Sequence, residues 1–514
     1  MNSSASRLKP ARMGSLVVLL LAAFSSASAM AAFNSGSTGA DGALNPTVNT
    51  EIQLPPSGVL NYTSVNIPTG VTVKFKKNSA NTPVFILASG DVSIAGTIDI
   101  RGLDAKATGT YGDGVLGDDG VPGSGGPGGY DGGRGGREDA ALRAEIIRGG
   151  AGLGPGGGPG GIEGGNGCAN GYSYYPYVGN GGGYATAAYA YYAAYQCGVN
   201  AIKTFGKSYG SALLQPLIGG SGGGGGRGGK NFPGSGGGGG GGGILLASSG
   251  KITLTGTIDA TGGDAGGVAG TDVGGQGAGG SGGAIRLVAT TIAGNGGVYA
   301  NGGCINYNNS RRQYCDSTGN TNGYGGSVGR IRFEGEAVTF NGTSQPTYAV
   351  DKPGPVFIAD VPAIRIASVS GQNVPANPTG NADVTLPAST TNPVQVTFQT
   401  TNVPAGNTVL LRVVPAYGQP TEVISSAIAG STASGSATVS VTLPQGPSTL
   451  QATTTYTVVV AGSIDLSHFA KNETVEKVEV TVALAGETKA RLVTASGKYY
   501  DVSYPALRAA GFVG

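Results

Sequence analysis

The side chains able to do chemistry are few and scattered. His468 is the only histidine, so a Ser-His-Asp triad would need it as base. It stands in Leu466-Ser467-His468-Phe469, beside no G-x-S-x-G elbow. A phosphate loop fares no better. Gly206-Lys207-Ser208 ends correctly, but Ala201 sits where the first glycine belongs; Gly224 with Gly229-Lys230 has the spacing, but Asn231 replaces Ser/Thr. In a glycine-rich chain such matches arise by chance. No spacing among the 29 acidic residues singles out a glycosidase pair. The loop carrying Asp113, Asp118 and Asp119 offers oxygen ligands for Ca²⁺, but it lacks the ordered D-x-D-x-D-G register. A solvated turn is the plainer expectation there, and no other cofactor is expected.

The densest candidate surface is aromatic. Residues 172–195 hold nine of the 23 tyrosines: Tyr172, Tyr174, Tyr175, Tyr177, Tyr184, Tyr189, Tyr191, Tyr192 and Tyr195. Tyrosine offers a flat apolar body with a polar tip at low entropic cost, which suits a contact surface for a glycan, a matrix polymer or a second copy. The competing reading packs the same rings onto the neighbouring glycine-rich chain, where absent side chains leave room. Cys168 and Cys197 bracket the cluster, and Cys304 and Cys315 are the remaining cysteines. With no C-x-x-C pair and one distant histidine, a zinc site is not expected; two disulfides are. Of three connectivities, Cys168–Cys197 with Cys304–Cys315 is favoured, since each closes one loop poor in core residues.

The elements that would position these residues follow from composition. The 514 residues include 100 Gly and 27 Pro, only 12% are charged, and there is no Trp. No G-X-Y period is present, which excludes collagen. A formal net charge of +2 with 39% hydrophobic residues excludes a charged disordered tail, and no basic stripe suits nucleic acid. Residues 351–514 hold only 13 of the glycines, so the main boundary lies near Asp351-Lys352-Pro353-Gly354-Pro355.

Before that boundary a motif repeats. Gly90-Asp91-Val92-Ser93-Ile94-Ala95-Gly96-Thr97-Ile98-Asp99 returns as Gly250-Lys251-Ile252-Thr253-Leu254-Thr255-Gly256-Thr257-Ile258-Asp259. A third copy runs from Ala284 to Gly303, a degenerate fourth from Arg330 to Phe340, and an opening one uses Val65, Ile67, Val71, Val73 and Phe75. Val92, Ile94, Ile98 and Ile100 alternate with Ser93, Thr97 and Asp99, the pattern of strands with one buried face. Gly96 and Gly256 interrupt mid-pattern, where positive φ or a sharp bend is needed. The expected fold is all-β: a glycine-rich parallel β-helix-like solenoid over 32–350, each turn burying its apolar face on its neighbours. A sandwich of similar hairpins is the alternative. Asp99 and Asp259 would then share one wet outer row.

A long insertion, about 102–243, separates the first two copies. It is either flexible linker or extended polyglycine helices, which have no internal hydrogen bonds and must bond sideways. The sequence leaves both open. From 351 to 462, short strands separated by turn signals indicate an immunoglobulin-like β-sandwich, with a hairpin extension over 463–514.

Residues 1–31 read as a signal peptide: Arg7, Lys9 and Arg12, then an apolar run from Ser15 to Phe24, then small residues at Ala27, Ala29 and Ala31. Its removal takes three cations and no acid, leaving a mature net charge of about −1 and no transmembrane span. The start Ala40-Asp41-Gly42-Ala43-Leu44-Asn45-Pro46, with the Gly-Thr-Ile-Asp motif and the poly-Gly runs, resembles exported glycine-rich β-solenoid proteins of Gram-negative bacteria, and distantly filamentous adhesins. The resemblance covers roughly residues 33–345 and implies an exported solenoid without implying an activity. The expected function is a non-catalytic structural or adhesive protein of the cell surface or extracellular matrix, secreted or on the outer surface, with the periplasm also compatible. The second reading is a β-helix protein that binds or degrades polysaccharide.

Overall fold

Residues of alternating polarity become parallel strands that pair copy to copy. The computed structural model describes residues 33–108, 119–161, 178–188, 206–268, 275–307, 311–313, 325–357, 361–375, 383–416, 419–460, 464–484 and 488–514. Among them nearly all regular structure is β, in parallel and antiparallel sheets, and all belong to one compact unit, Phe33–Gly514.

Two parallel sheets make up the first part, one of nine strands and one of six. In the larger, Val92–Ile94 lies against the second half of Gly243–Leu254, which pairs with Ala284–Gly294 and, through it, with Arg330–Phe340. In the smaller, Thr72–Lys76, Thr97–Asp99, Thr257–Asp259, Gly297–Tyr299 and Thr343–Gln345 succeed one another. The sequence copies therefore meet in register: Ile98 opposes Ile258, which opposes Val298. Columns of like residues fill the space between the sheets, such as Leu60, Ile86, Leu246, Leu287 and Phe333. All five are buried.

Glycine at the corner between the two sheets is required by space and not by φ, which is not positive at Gly96 or Gly256. A Cβ on Gly256 would stand 1.9 Å from the Gly96 carbonyl oxygen, and one on Gly296 or Gly342 would stand 2.2 or 2.0 Å from the oxygen of the corner below.

The long insertion is an ordered array. Along 234–243, every third N–H addresses the same neighbour. Gly234, Gly237, Gly240 and Gly243 donate to the carbonyls of Gly136, Gly133, Tyr130 and Pro127 at 2.8–2.9 Å. Gly238 and Gly241 donate to Ala278 and Ser281, while Gly239 and Gly242 donate to Leu103 and Ile100. The carbonyls of the same segment accept from Gly123 and Gly126, from Gly220 and Gly223, and from Gly263 and Gly266. Three residues per turn, no bonds within the segment and six surrounding neighbours are the packing of extended polyglycine helices. The linker alternative for the insertion is thereby overturned in its described parts: lateral bonds satisfy the backbone that side chains cannot bury. Two reversals, Gly128 at φ +76° and Gly154 at φ +94°, take up conformations that favour glycine.

The C-terminal part packs a five-stranded against a six-stranded antiparallel sheet. Their inner faces share one core that includes Phe398, Leu411, Val439, Tyr456, Val480 and Leu492. Residues beyond 462 contribute Val475–Ala483, Thr488–Thr494 and Tyr499–Ser503 to the six-stranded sheet, so they extend it directly.

A buried ion cluster joins the two parts. Arg286, 1% exposed, makes a bidentate pair with Glu334 at 3.0 and 2.8 Å, and Arg332 reaches both Glu334 at 2.7 Å and Asp351 at 2.8 Å. Arg286 also donates to the Pro355 carbonyl at 3.0 Å, and Glu334 accepts the Gly354 N–H at 2.9 Å. The connecting segment is thus strapped to the outer face of the larger parallel sheet.

Candidate functional site

The glycine array has a near end, where its segments become strands, and a far end. The near end is marked by Ile100, Gly243, Ala260 and Ala284, all at strand boundaries. At the far end lie the residues flanking three interruptions of the described chain. Thr108 donates to Gly267, Gly161 to Gly225, Gly179 to Gln276, and Gly275 to Arg227, while Gly120 accepts from Gly135. These pairs lie level with Gly225–Gly228, two to three turns of the array from the sheets. The chain on either side of 109–118, 162–177 and 269–274 therefore enters and leaves at one common end. Asp119 borders the first of these; Asp113 and Asp118 lie outside the described residues, as do Tyr172, Tyr174, Tyr175, Tyr177, Tyr189, Tyr191, Tyr192 and Tyr195.

Tyr184 is described, and it corrects part of the aromatic-surface expectation. It is 1% exposed, donates its hydroxyl to the Ile218 carbonyl at 3.0 Å and packs against Tyr209 with ring centroids 4.7 Å apart. Tyr209 donates in turn to the Gly219 carbonyl at 2.6 Å. Both rings seal the near end of the array against Leu217, Leu245 and Val288. For this member of the cluster, room left by glycine decides the role: it is packing and offers no contact surface.

Cys304 is buried and is not a free thiol. Cys168, Cys197 and Cys315 lie outside the described residues, so the pairing stays an expectation. The phosphate-loop match at Gly224 and Gly229-Lys230 has a structural reason to fail. The N–H groups of Gly224, Gly225, Gly226 and Gly228 are already bonded to Asn180, Gly150, Ser235 and Ile147. His468 sits in the short helix Ser467–Ala470 against Phe469, and Asp465 accepts the Ser467 N–H at 2.9 Å. Among the described residues no group of three or more His, Cys, Asp or Glu could hold a metal, and no helix is long and apolar enough to cross a membrane.

The outer face of the smaller parallel sheet gathers charge. Asp99 and Asp259 do stand side by side, as adjacent partners in one row. Lys74 lies 3.2 Å from Asp99, and Arg101 lies 3.1 Å from Asp99 and 3.8 Å from Asp259. Burial alone would raise the Asp99 pKa, but hydrogen bonds from Arg101 and Lys74 outweigh it and hold the carboxyl below its usual range. The Asp99 hydrogen bond raises Arg101 in return. Sequence reasoning found this acidic row but missed two of its neighbours, Gly297 and Tyr299. Superposing the third repeat on the first two would have exposed both. Compared with protein-family models, curated proteins and solved structures, the chain matches none.

Proposed function

We propose that this is an exported, non-catalytic structural or adhesive protein of the bacterial cell surface or extracellular matrix. In this reading the parallel sheets are a β-helix-like solenoid and the C-terminal part an immunoglobulin-like sandwich. The observation that carries the proposal is the common far end. A glycine-rich array, bonded to itself in every direction, is a stiff spacer, and the residues flanking 109–118, 162–177 and 269–274 all stand at its far end. Rigid scaffolds that display irregular loops are a general design for recognition. The loop with Tyr172, Tyr174, Tyr175 and Tyr177 supplies the contact surface, and the disulfide Cys168–Cys197 closes it. A cell-surface glycan, a matrix polymer or a second copy is the partner, and bound Ca²⁺ at Asp113, Asp118 and Asp119 would be an accessory.

Replacing Tyr174, Tyr175 and Tyr177 together by Ala is expected to lower attachment of the full chain to producing cells by about tenfold or more, a loss of roughly 1.4 kcal/mol. Circular dichroism should stay unchanged. Undiminished attachment would remove the contact role from this loop. Cell fractionation should find the protein beyond the inner membrane; a cytosolic pool alone would overturn the export reading. Polysaccharide binding has its own support, in the polar outer face of the smaller sheet.

A further inference from the structure

The third copy of the repeat departs from the first two in a paired way. Where they read Gly-Thr-Ile-Asp, it reads Gly296-Gly297-Val298-Tyr299. In register, Gly297 takes the position of Thr257 and Tyr299 that of Asp259. The two changes are physically coupled. A Cβ on Gly297 would stand 2.6 Å from Cε2, 2.9 Å from Cζ and 2.8 Å from the hydroxyl of Tyr299. The Cε2 edge and hydroxyl end of the ring thus cross Gly297 and occupy the gap in the threonine row. Since φ at Gly297 is not positive, it is the ring, and not the backbone, that excludes a side chain there.

The result is a level strip across the strands. Thr72, Thr97, Thr257 and Thr343 form one outward row, interrupted only by the Tyr299 ring. Lys74, Asp99, Asp259, Tyr299 and Gln345 form the next. Asn301 borders it, donating to Gln345 at 3.2 Å. The strip is half-exposed, with Lys74 and Thr343 more so, in contrast to the outer face of the larger sheet, which the tyrosine-sealed cluster covers.

We infer that this strip binds a neutral, extended polysaccharide of the β-(1→4)-linked hexopyranose class, with one sugar stacked on Tyr299. An aromatic face attracts the C–H face of a pyranose whose hydroxyls are equatorial. The hydroxyl edges then meet Thr257, Thr343, Asp259 and Gln345. Charge selects neutrality: Lys74 and Arg101 already balance Asp99 and Asp259, so a polyanion gains no free cation and faces two carboxylates. Rungs about 4.8 Å apart repeat at close to the length of one sugar in such a chain. The site is separate from the far-end loops, and its fate does not depend on theirs.

Titration calorimetry of the full chain with cellohexaose tests it, with maltohexaose and hexagalacturonate as the curled and the anionic comparisons. Cellohexaose is expected to bind best. Tyr299→Ala should weaken it about tenfold, Tyr299→Phe little, and Gly297→Thr, which drives the ring off the strip, about as much as Tyr299→Ala. Thr257→Val, a near-isosteric change at a half-buried outward position that leaves the fold intact, should weaken it a few fold. The far-end triple Tyr variant should bind cellohexaose normally. No binding by the unmodified chain, equal binding by Tyr299→Ala and Thr257→Val, preference for hexagalacturonate, or loss in the far-end variant would each overturn the inference.

Discussion

Gly240→Ala is expected to destabilise the protein by about 3 kcal/mol or more, at or beyond the upper end of the usual cost of overpacking. A Cβ at this position would stand 2.0 Å from the Gly220 carbonyl oxygen and 2.2 Å from its carbon. Nothing flexible is there to yield, because Gly220 is itself fixed by its hydrogen bond to Gly241. The sign is the informative part. In a flexible linker the same change restricts the unfolded chain and is neutral or stabilising by about 0.4–1 kcal/mol. Gly70→Ala is the comparison: φ is +83° with nothing within 4 Å, so only the left-handed penalty of about 1–2 kcal/mol applies. Chemical denaturation of the three proteins decides. A Gly240→Ala variant as stable as the parent would mean that the array does not form.

Arg286→Ala should be comparably severe, at about 3–5 kcal/mol, the usual cost of removing one partner from a buried ion pair. Glu334 would keep Arg332 and the Gly354 N–H but lose its bidentate partner, in a site where it is almost wholly buried. The segment 352–357 would lose its anchor at the Pro355 carbonyl and become the first site of proteolytic cleavage. Arg286→Met with Glu334→Leu should recover only part of the loss, since the apolar pair removes two buried charges but leaves the buried Arg332 with Asp351 alone. Cleavage at 352–357 that is no faster in Arg286→Ala would contradict the strap. The pH dependence follows from the same group. Burial would raise the Glu334 pKa, but bonding to Arg286 and Arg332 wins and depresses it. A carboxyl depressed on folding stabilises above its unfolded pKa and stops doing so as pH falls through the folded value. The strap should therefore hold at neutral pH and release only below the ordinary glutamate range, as read by protease sensitivity against pH.

Much of the parallel-sheet architecture was legible because it is written twice over. Val92, Ile94 and Ile98 recur as Ile252, Leu254 and Ile258, and copies separated by 160 residues prove to be direct neighbours. Period-two alternation told which side chains face inward, and the corner glycines told where the chain turns. The glycine array was not legible for the opposite reason. A three-residue period carries no signal when every position holds the same residue, so 236–243 reads alike as linker or as helix. Tyr184 illustrates a subtler loss: its chemistry fits a contact surface as well as a seal, and only its position against Ile218 and Tyr209 decides. Arg286, Arg332 and Glu334 stood in plain view as charges inside apolar strands. Recognising them needed the knowledge that a later segment crosses that face.

Amide hydrogen exchange along residues 219–243 tests the central claim most directly. Eighteen of these 25 residues are glycine, so protection at the glycines must come from lateral backbone bonding. The account expects their amides to exchange as slowly as those of Ala284–Gly294 in the parallel sheet. Exchange at the rate of an unstructured peptide would show that the glycines form no array, and the scaffold built on them would fall with it.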